Sequence, residues 1–203
     1  RGGIEEPLNI PSIERFLGDW AIEHGIAETA AKEAPEGTSI AVVGGGPGGL
    51  SFAYFMAKKG YPVTLYEAKE KLGGVLRYGI PEYRLPKDIL DREIARILAL
   101  GVTAKTASDV GRDVPVEELG SYSASFLAIG LQKSRKLGLE GEDAKGVMAG
   151  LTFLKSVTAG KPEAIGKRAL VIGGGNTAMD VARSAIRLGA EVEVVYRRTR
   201  DEM

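Results

Sequence analysis

The stretch AVVGGGPGGL, residues 41–50, decides the fold, because an apolar run leads directly into the spacing G-x-G-x-x-G. Its glycines are Gly44, Gly46 and Gly49. At a turn from strand to helix, the first glycine permits the tight turn, the second lets a pyrophosphate approach the backbone, and the third lets helix and strand pack closely. The pattern therefore predicts a dinucleotide-binding turn at the N-terminus of a helix.

An acidic residue follows this turn at the distance that such a site requires. Glu67 ends the next apolar run, about 20 residues further on, where a ribose-binding acid is expected. A carboxylate there accepts hydrogen bonds from ribose hydroxyls and repels a 2′-phosphate, so the site suits FAD or NAD. The predicted residues of this first site are Gly44, Gly46, Pro47, Gly48, Gly49 and Glu67.

The glycine pattern occurs a second time in LVIGGGNTAM, residues 170–179, in which Ala178 takes the third position. A shift of 129 positions places Gly44 on Gly173 and the helix-ending Gly60 on Gly189. Two strand–helix–strand units in one register indicate an internal repeat. The predicted residues of the second turn are Gly173, Gly174, Gly175, Asn176 and Thr177.

The two sites differ in the residues just after the second strand. The same shift places Glu67 on Tyr196, and Arg197 and Arg198 come next, with Arg200 as a further candidate. Guanidinium groups match phosphate oxygens in geometry and charge, so this site is expected to take NADP, with NAD as the alternative. The competing interpretation of the arginines is a solvated strand end.

The rest of the chain alternates apolar runs with helical periodicity, which predicts α/β structure with parallel sheets. Ser12 is the expected N-cap of the first helix. The predicted strands are 39–43, 62–66, 102–106, 124–129, 168–172 and 191–196, and the predicted helices are 12–24, 48–59, 87–100, 150–159 and 176–188.

The composition argues against a nucleic-acid partner and against a membrane span. The 203 residues carry 27 basic and 27 acidic side chains, so no net field favours nucleic acid as a partner. No apolar run approaches the length of a membrane span, and the lack of cysteine is compatible with a reducing cytoplasm, the expected location. The chain starts at Arg1 and stops at Met203 just after a basic stretch, so it is expected to be part of something longer.

Several separated motifs together resemble one family. They are GGVLRYGIPEYRLPK at 73–87, FLAIG at 126–130, LGLEGED at 137–143, VIGGGNTAMDVAR at 171–183 and VVYRR at 194–198. The sequence resembles, over essentially its whole length, the FAD-dependent pyridine nucleotide oxidoreductases of the glutamate synthase small-subunit type, a module that dihydropyrimidine dehydrogenase also carries.

The resemblance implies two Rossmann-like domains, with the NAD(P) domain inserted into the FAD domain and both incomplete here. The implied division is a helical iron–sulfur-type segment at 1–35, the FAD domain at 36–145 and the NAD(P) domain at 146–203. Further flavin-site residues implied by position are Lys69, Gly74, Leu76, Arg84 and Gly130. For Arg84, the competing interpretation is a surface salt bridge with Glu82 or Asp88.

The implied activity is hydride transfer from NAD(P)H to FAD and electron transfer onward to iron–sulfur centres in a larger chain or catalytic subunit. No catalytic side chain is needed, because the cofactors carry the chemistry. Cysteine ligands of 4Fe-4S clusters would lie upstream or in a partner, so no metal ligand is assigned. On the N-terminal helix, Phe16 and Trp20 are expected in the core, and His24 is expected to be structural or exposed.

Three alternatives remain. One is an NADH-linked subunit of an electron-bifurcating complex, which belongs to the same family. Another is a nucleotide-binding or assembly module without turnover. A stand-alone disulfide reductase is disfavoured, since the 203 residues contain no cysteine pair. The segment that closes the flavin site in this family comes after the inserted domain, so the 203 residues alone are not expected to hold FAD tightly.

Overall fold

The computed structural model describes residues 7–26, 29, 34–131 and 133–199 and has the expected α/β architecture. All strand pairs are parallel. The strands are β1 (Ile40–Val43), β2 (Val63–Tyr66), β3 (Thr103–Lys105), β4 (Ala124–Leu127), β5 (Arg168–Ile172) and β6 (Glu191–Val195). The helices are α1 (Ile10–Glu23), α2 (Pro47–Lys58), α3 (Val75–Tyr78), α4 (Lys87–Leu98), α5 (Gly150–Thr158) and α6 (Asn176–Arg187), with a 3₁₀ helix at Val116–Ser121.

The first lobe, residues 40–127, is built on a four-stranded sheet in the order β3-β2-β1-β4. All four residues of β1 are buried, as expected for a central parallel strand with an apolar sequence. Helices α2 and α4 cover the sheet through residues such as Leu50, Ala53, Leu90 and Ile94, which pack with Val42 and Leu65 into one core.

The second lobe, residues 150–195, contains the parallel pair β5 and β6 with α5 and α6. Its core is smaller and centres on Phe153, Leu154, Ala185 and Ala190. The repeat is visible in the strand register. Ile40 pairs with Val63 in the first lobe and Ala169 pairs with Val192 in the second, and a shift of 129 positions converts one pair into the other.

The predicted elements are all present, most with ends shifted by one or two residues. Strand β4 stops at Leu127 instead of continuing to residue 129. Two short elements were not predicted, α3 and the 3₁₀ helix. Among the described residues, no helix is both long enough and apolar enough to cross a membrane.

Two expectations for α1 were wrong. The N-cap is Asn9, whose side-chain oxygen accepts a hydrogen bond from the N–H of Ser12 at 3.2 Å, so Ser12 lies inside the first turn. Phe16 and Trp20 are 67% and 43% exposed and do not belong to a core. His24 stacks on the Trp20 ring and is exposed, in agreement with its expected structural or surface role.

Candidate functional site

The first glycine turn leads into α2 without a side-chain cap. Gly46 is the N-cap in an extended conformation, and the first turn of α2 contains no acidic residue. The N–H groups of this turn and the positive end of the helix dipole therefore form a suitable place for an anion. Gly44 has φ = 106°, and a Cβ on Gly49 would overlap the carbonyl oxygen of Gly44. The first and third glycines are thus required by the turn itself.

Two other segments meet this turn at the carboxyl ends of the strands. The N–H of Gly73 donates to the carbonyl of Gly45 at 2.8 Å, and a Cβ on Gly74 would lie 2.6 Å from the Cα of Gly46. On the other side, a Cβ on Gly44 would lie 2.8 Å from the carbonyl carbon of Ala128. The structure therefore brings Gly74 and Ala128 against the turn, and Gly130 follows Ala128 by two residues.

Glu67 is held by backbone groups beside the same turn. It is 8% exposed, its Oε2 accepts from the N–H of Gly45 at 2.8 Å, and its Oε1 accepts from the N–H of Lys69 at 2.9 Å. Both bonds fix the orientation of the carboxylate. Since each carboxylate oxygen has two lone pairs, both oxygens retain capacity to accept from ribose hydroxyls. The side chain of Lys69 is exposed.

The second turn repeats the backbone geometry of the first. The N–H of Gly173 donates to Val195 at 2.9 Å, as that of Gly44 donates to Tyr66 at 2.8 Å. Gly175 is an extended N-cap, and α6 also begins without a side-chain cap or an acidic residue in its first turn. Nothing lies within 4 Å of a Cβ placed on Gly175, so the turn is open. Asn176 and Thr177, the first residues of α6, are exposed.

The turns differ at the residue directly after the second strand. In the first lobe Glu67 binds the N–H of Gly45, whereas in the second the Tyr196 ring lies against Gly174, where a Cβ would be 2.8 Å from the ring. Arg197 and Arg198 follow Tyr196 in the sequence and are exposed. Arg200 lies outside the described residues. The second turn thus carries an aromatic ring and two cations where the first carries an anion.

The remaining predicted residues are not all at the turns. Leu76 packs against the core of the first lobe. The Arg84 guanidinium does not pair with Glu82 or Asp88, which was the competing interpretation, but binds Asp180 of α6 in the second lobe at 2.7 Å. Its predicted contact with the cofactor stays a prediction.

Sequence reasoning missed Asp180 and Tyr83. Asp180 is 5% exposed, and the Tyr83 hydroxyl donates to its Oδ1 at 3.2 Å. The only signal in the sequence was a carboxylate among small and apolar residues on the buried side of a predicted helix. Within the described residues, no cluster of His, Asp and Glu side chains is suited to a metal ion.

These features fit a dinucleotide at each turn. The chemistry of the donors matches phosphate, because both helices present uncapped N–H groups. The close packing of Gly46 against Gly74 leaves a backbone surface without side chains at the first turn. The fixed carboxylate of Glu67 suits a ribose diol, and the exposed arginines after Tyr196 suit an additional phosphate.

Known proteins match the chain over nearly its whole length. The chain is 42% identical to the NADP(+)-dependent formate dehydrogenase subunit beta of Moorella thermoacetica, over 100% of this chain and 32% of the relative. It is 36% identical to the glutamate synthase [NADPH] small chain of Escherichia coli, over 97% of this chain and 44% of that relative. The chain therefore spans between about a third and a half of the curated relatives that it matches.

A solved structure and a family pattern also match this chain. FprA from Mycobacterium tuberculosis in complex with NADPH superposes with a TM-score of 0.65 at 29% identity, over 72% of this chain and 36% of that protein. The pattern described as pyridine nucleotide-disulphide oxidoreductase matches residues 38–201, which contain both glycine turns. This chain belongs to the pyridine nucleotide-disulphide oxidoreductase family.

Proposed function

We propose that the chain is the nucleotide-binding part of a flavin-dependent oxidoreductase in which hydride passes from NADPH to FAD and electrons pass on to iron–sulfur centres. The observation that carries the proposal is the pair of equivalent turns with opposite chemistry after the second strand, Glu67 in one and Tyr196-Arg197-Arg198 in the other. The names of the formate dehydrogenase and glutamate synthase relatives, both NADP(H)-linked, support the choice of nicotinamide cofactor.

The first turn would hold FAD. The N–H groups at the start of α2 would bind its pyrophosphate, and Glu67 would accept from the ribose of its adenosine part. Gly130 would contact the pyrophosphate from the other side. The segment after Gly74 would lead toward the flavin, with Lys69 beside it.

The second turn would hold NADPH. The start of α6, with Gly173, Gly174, Gly175, Asn176 and Thr177, would bind the pyrophosphate. Arg197 and Arg198 would bind the 2′-phosphate through charge-assisted hydrogen bonds. A free carboxylate at the position of Tyr196 would repel that phosphate, so its absence there matters as much as the presence of the arginines.

When bound, FAD would supply the ability to accept a hydride from nicotinamide and to release electrons one at a time. The contribution of the chain is to bind the two nucleotides and to orient them. Because the two turns belong to separate lobes, the relative position of the lobes sets how closely the reacting rings approach, and such positioning carries much of the rate.

The wider assembly is part of the same proposal. Residues 36–145 would belong to the FAD domain, residues 146–203 to the NAD(P) domain, and residues 1–35 to a helical segment beside an iron–sulfur domain. The NADPH-Fe(3+) oxidoreductase subunit beta of Geobacter sulfurreducens, 40% identical over the whole of this chain, supports an iron-containing electron acceptor. We place the protein in the cytoplasm.

The direct test is spectroscopic. A protein that carries these 203 residues together with the segment that closes the flavin site in this family, called the full chain below, is expected to show a bound-flavin absorption spectrum after reconstitution with FAD. Under anaerobic conditions this spectrum should bleach with NADPH much faster than with NADH. A protein that stays colourless after reconstitution would contradict the flavin assignment. Equal bleaching by both nucleotides would contradict the role of the two arginines.

A further inference from the structure

The segment between α3 and α4 reaches across to the second lobe and binds α6. The Nε and Nη2 atoms of Arg84 donate to Asp180 Oδ1 at 2.9 and 2.7 Å. The Tyr83 hydroxyl donates to the same oxygen at 3.2 Å. One carboxylate oxygen of the second lobe therefore receives three hydrogen bonds from two adjacent residues of the first.

The same face of α6 also holds the Tyr83 ring. Asp180, Arg183 and Arg187 are separated by three and four positions, so they lie along one face of the helix. The guanidinium carbons of Arg183 and Arg187 lie 4.9 and 4.0 Å from the centre of the Tyr83 ring, within the range of cation–π contacts. We call Tyr83, Arg84, Asp180, Arg183 and Arg187 the α6 clamp.

Burial makes the carboxylate dependent on its partner. The Asp180 side chain is 7% exposed, whereas that of Arg84 is 40% exposed. A buried carboxylate that loses a bonded cation is destabilised, because it was removed from water and then loses the charge and the hydrogen bonds that compensated for this. The ion pair therefore favours the arrangement of lobes in which Arg84 reaches α6. A second bridge, from Thr158 Oγ1 in α5 to the carbonyl of Tyr78 at 2.9 Å, supports the same arrangement.

The clamp is connected to both glycine turns. Asp180 lies in the second turn of α6, about 6 Å along the axis from its first residue, Asn176. At the other end, Gly74 contacts Gly46 of the first turn and begins the segment that carries Tyr83 and Arg84. Arg84 comes ten positions after Gly74, so a short segment links the backbone of the first turn to the helix that starts at the second.

We propose that the α6 clamp sets the position of the second turn relative to the first, so that Tyr83, Arg84 and Asp180 are positioning residues for hydride transfer and not ligands of either nucleotide. This inference rests on the proposed function for the reaction that it positions. It also gives Arg84 a role different from the flavin contact that its place in the sequence implied.

A double-mutant cycle in the full chain tests the clamp. The variants are Arg84→Ala, Asp180→Asn and the double variant. The measurements are FAD content, NADPH affinity, the single-turnover rate of flavin reduction, and amide hydrogen exchange over residues 78–86 and 176–187. Each single variant is expected to lower the reduction rate by between about tenfold and a hundredfold, the effect of misplaced reactants, with FAD content and NADPH affinity within about twofold of wild type.

The clamp predicts that the rate losses of the two substitutions are not additive and that amide hydrogen exchange becomes faster on both sides of the contact. Because both residues act through one contact, the double variant should be no slower than the slower single variant. Amide exchange should increase in both segments in every variant. Arg84→Lys, which keeps the charge but not the two-pronged geometry, should recover part of the rate. Tyr83→Phe, which keeps the ring and loses one hydrogen bond, should have a smaller effect than Arg84→Ala.

A matched control is the exposed pair of Asp88 and Arg92 on α4, at 3.8 Å. Arg92→Ala and Asp88→Asn should leave rate and exchange unchanged. Loss of FAD in Arg84→Ala but not in Asp180→Asn would overturn the proposal, since it would make Arg84 a flavin ligand. Additive losses of rate would overturn it as well. A wild-type protein without flavin would instead refute the proposed function, and the exchange measurements would still decide whether the clamp holds the lobes.

Discussion

Alanine substitutions at Gly49 and at Gly46 separate the structural requirement of the first turn from its proposed binding role. In Gly49→Ala, the new methyl group would overlap the carbonyl oxygen of Gly44 and lie 3.0 Å from its carbonyl carbon. Gly46→Ala adds the same methyl group three residues earlier, where the nearest atom is the Cα of Gly74 at 3.7 Å. The first change is sterically forbidden without movement of α2, and the second is allowed.

The expected magnitudes derive from these contacts. To relieve the overlap in Gly49→Ala, the start of α2 has to move by more than about 1 Å, and overpacking of this kind costs about 3 kcal/mol. For a chain of this size that corresponds to a fall in Tm of about 6 to 12 °C. Gly46→Ala should change the free energy of unfolding by less than about 0.5 kcal/mol. Its methyl group would nevertheless occupy the proposed pyrophosphate surface, so FAD affinity should fall at least tenfold, about 1.4 kcal/mol.

The assay combines thermal unfolding of the apoprotein with titration of FAD. Gly48→Ala is the control for thermal unfolding alone, because its methyl group would meet only the Ala128 side chain, at 4.0 Å, and alanine favours the helix. An unchanged Tm in Gly49→Ala would refute the packing argument. Wild-type FAD affinity in Gly46→Ala would show that the pyrophosphate does not bind at this turn.

Two further predictions concern charge. Arg197→Ala should raise the Kd for NADPH by at least about tenfold and leave the Kd for NADH unchanged. As the control, replacement of the exposed Arg168 by alanine should change neither Kd. Equal losses of affinity for both nucleotides would contradict the 2′-phosphate contact. Burial raises the pKa of the Tyr66 hydroxyl above its ordinary value of 10.0. Above about pH 10 the unfolded chain releases a proton that the folded chain keeps, so the free energy of unfolding should fall by up to about 1.4 kcal/mol per pH unit. Tyr66→Phe should remove this contribution to the pH dependence, as measured by urea titrations at a series of pH values.

The sequence predicted the parts of the fold that local chemistry determines. The run into Gly44 and the helix after it are specified by apolar periodicity and by a backbone that only glycine adopts at φ = 106°. The same signals repeated 129 positions later predicted the second lobe, and the structure has matching strand registers and matching hydrogen bonds at both turns. Helix α3, four residues between Gly74 and Gly79, is too short to show a period.

Contacts between distant residues were not predictable in this way. Arg84 and Asp180 are 96 positions apart, and nothing near either residue indicates the other. For Arg84, the local candidates Glu82 and Asp88 were the reasonable choice from spacing alone, and the packing of the lobes decided otherwise. The periodicity of α1 likewise indicated an apolar face, but periodicity does not say what covers that face, and Phe16 and Trp20 are exposed.

The difference between Glu67 and Tyr196 has a consequence for how such a protein changes in evolution. In the first lobe the residues that the turn requires are Gly44 and Gly49, whose replacement disrupts backbone packing. The residue that distinguishes the two lobes comes after the second strand and contacts the middle of the turn, at Gly45 or Gly174. Under the proposed function, selection can therefore alter nucleotide preference in the few residues after the second strand of a duplicated unit while purifying selection keeps its turn intact.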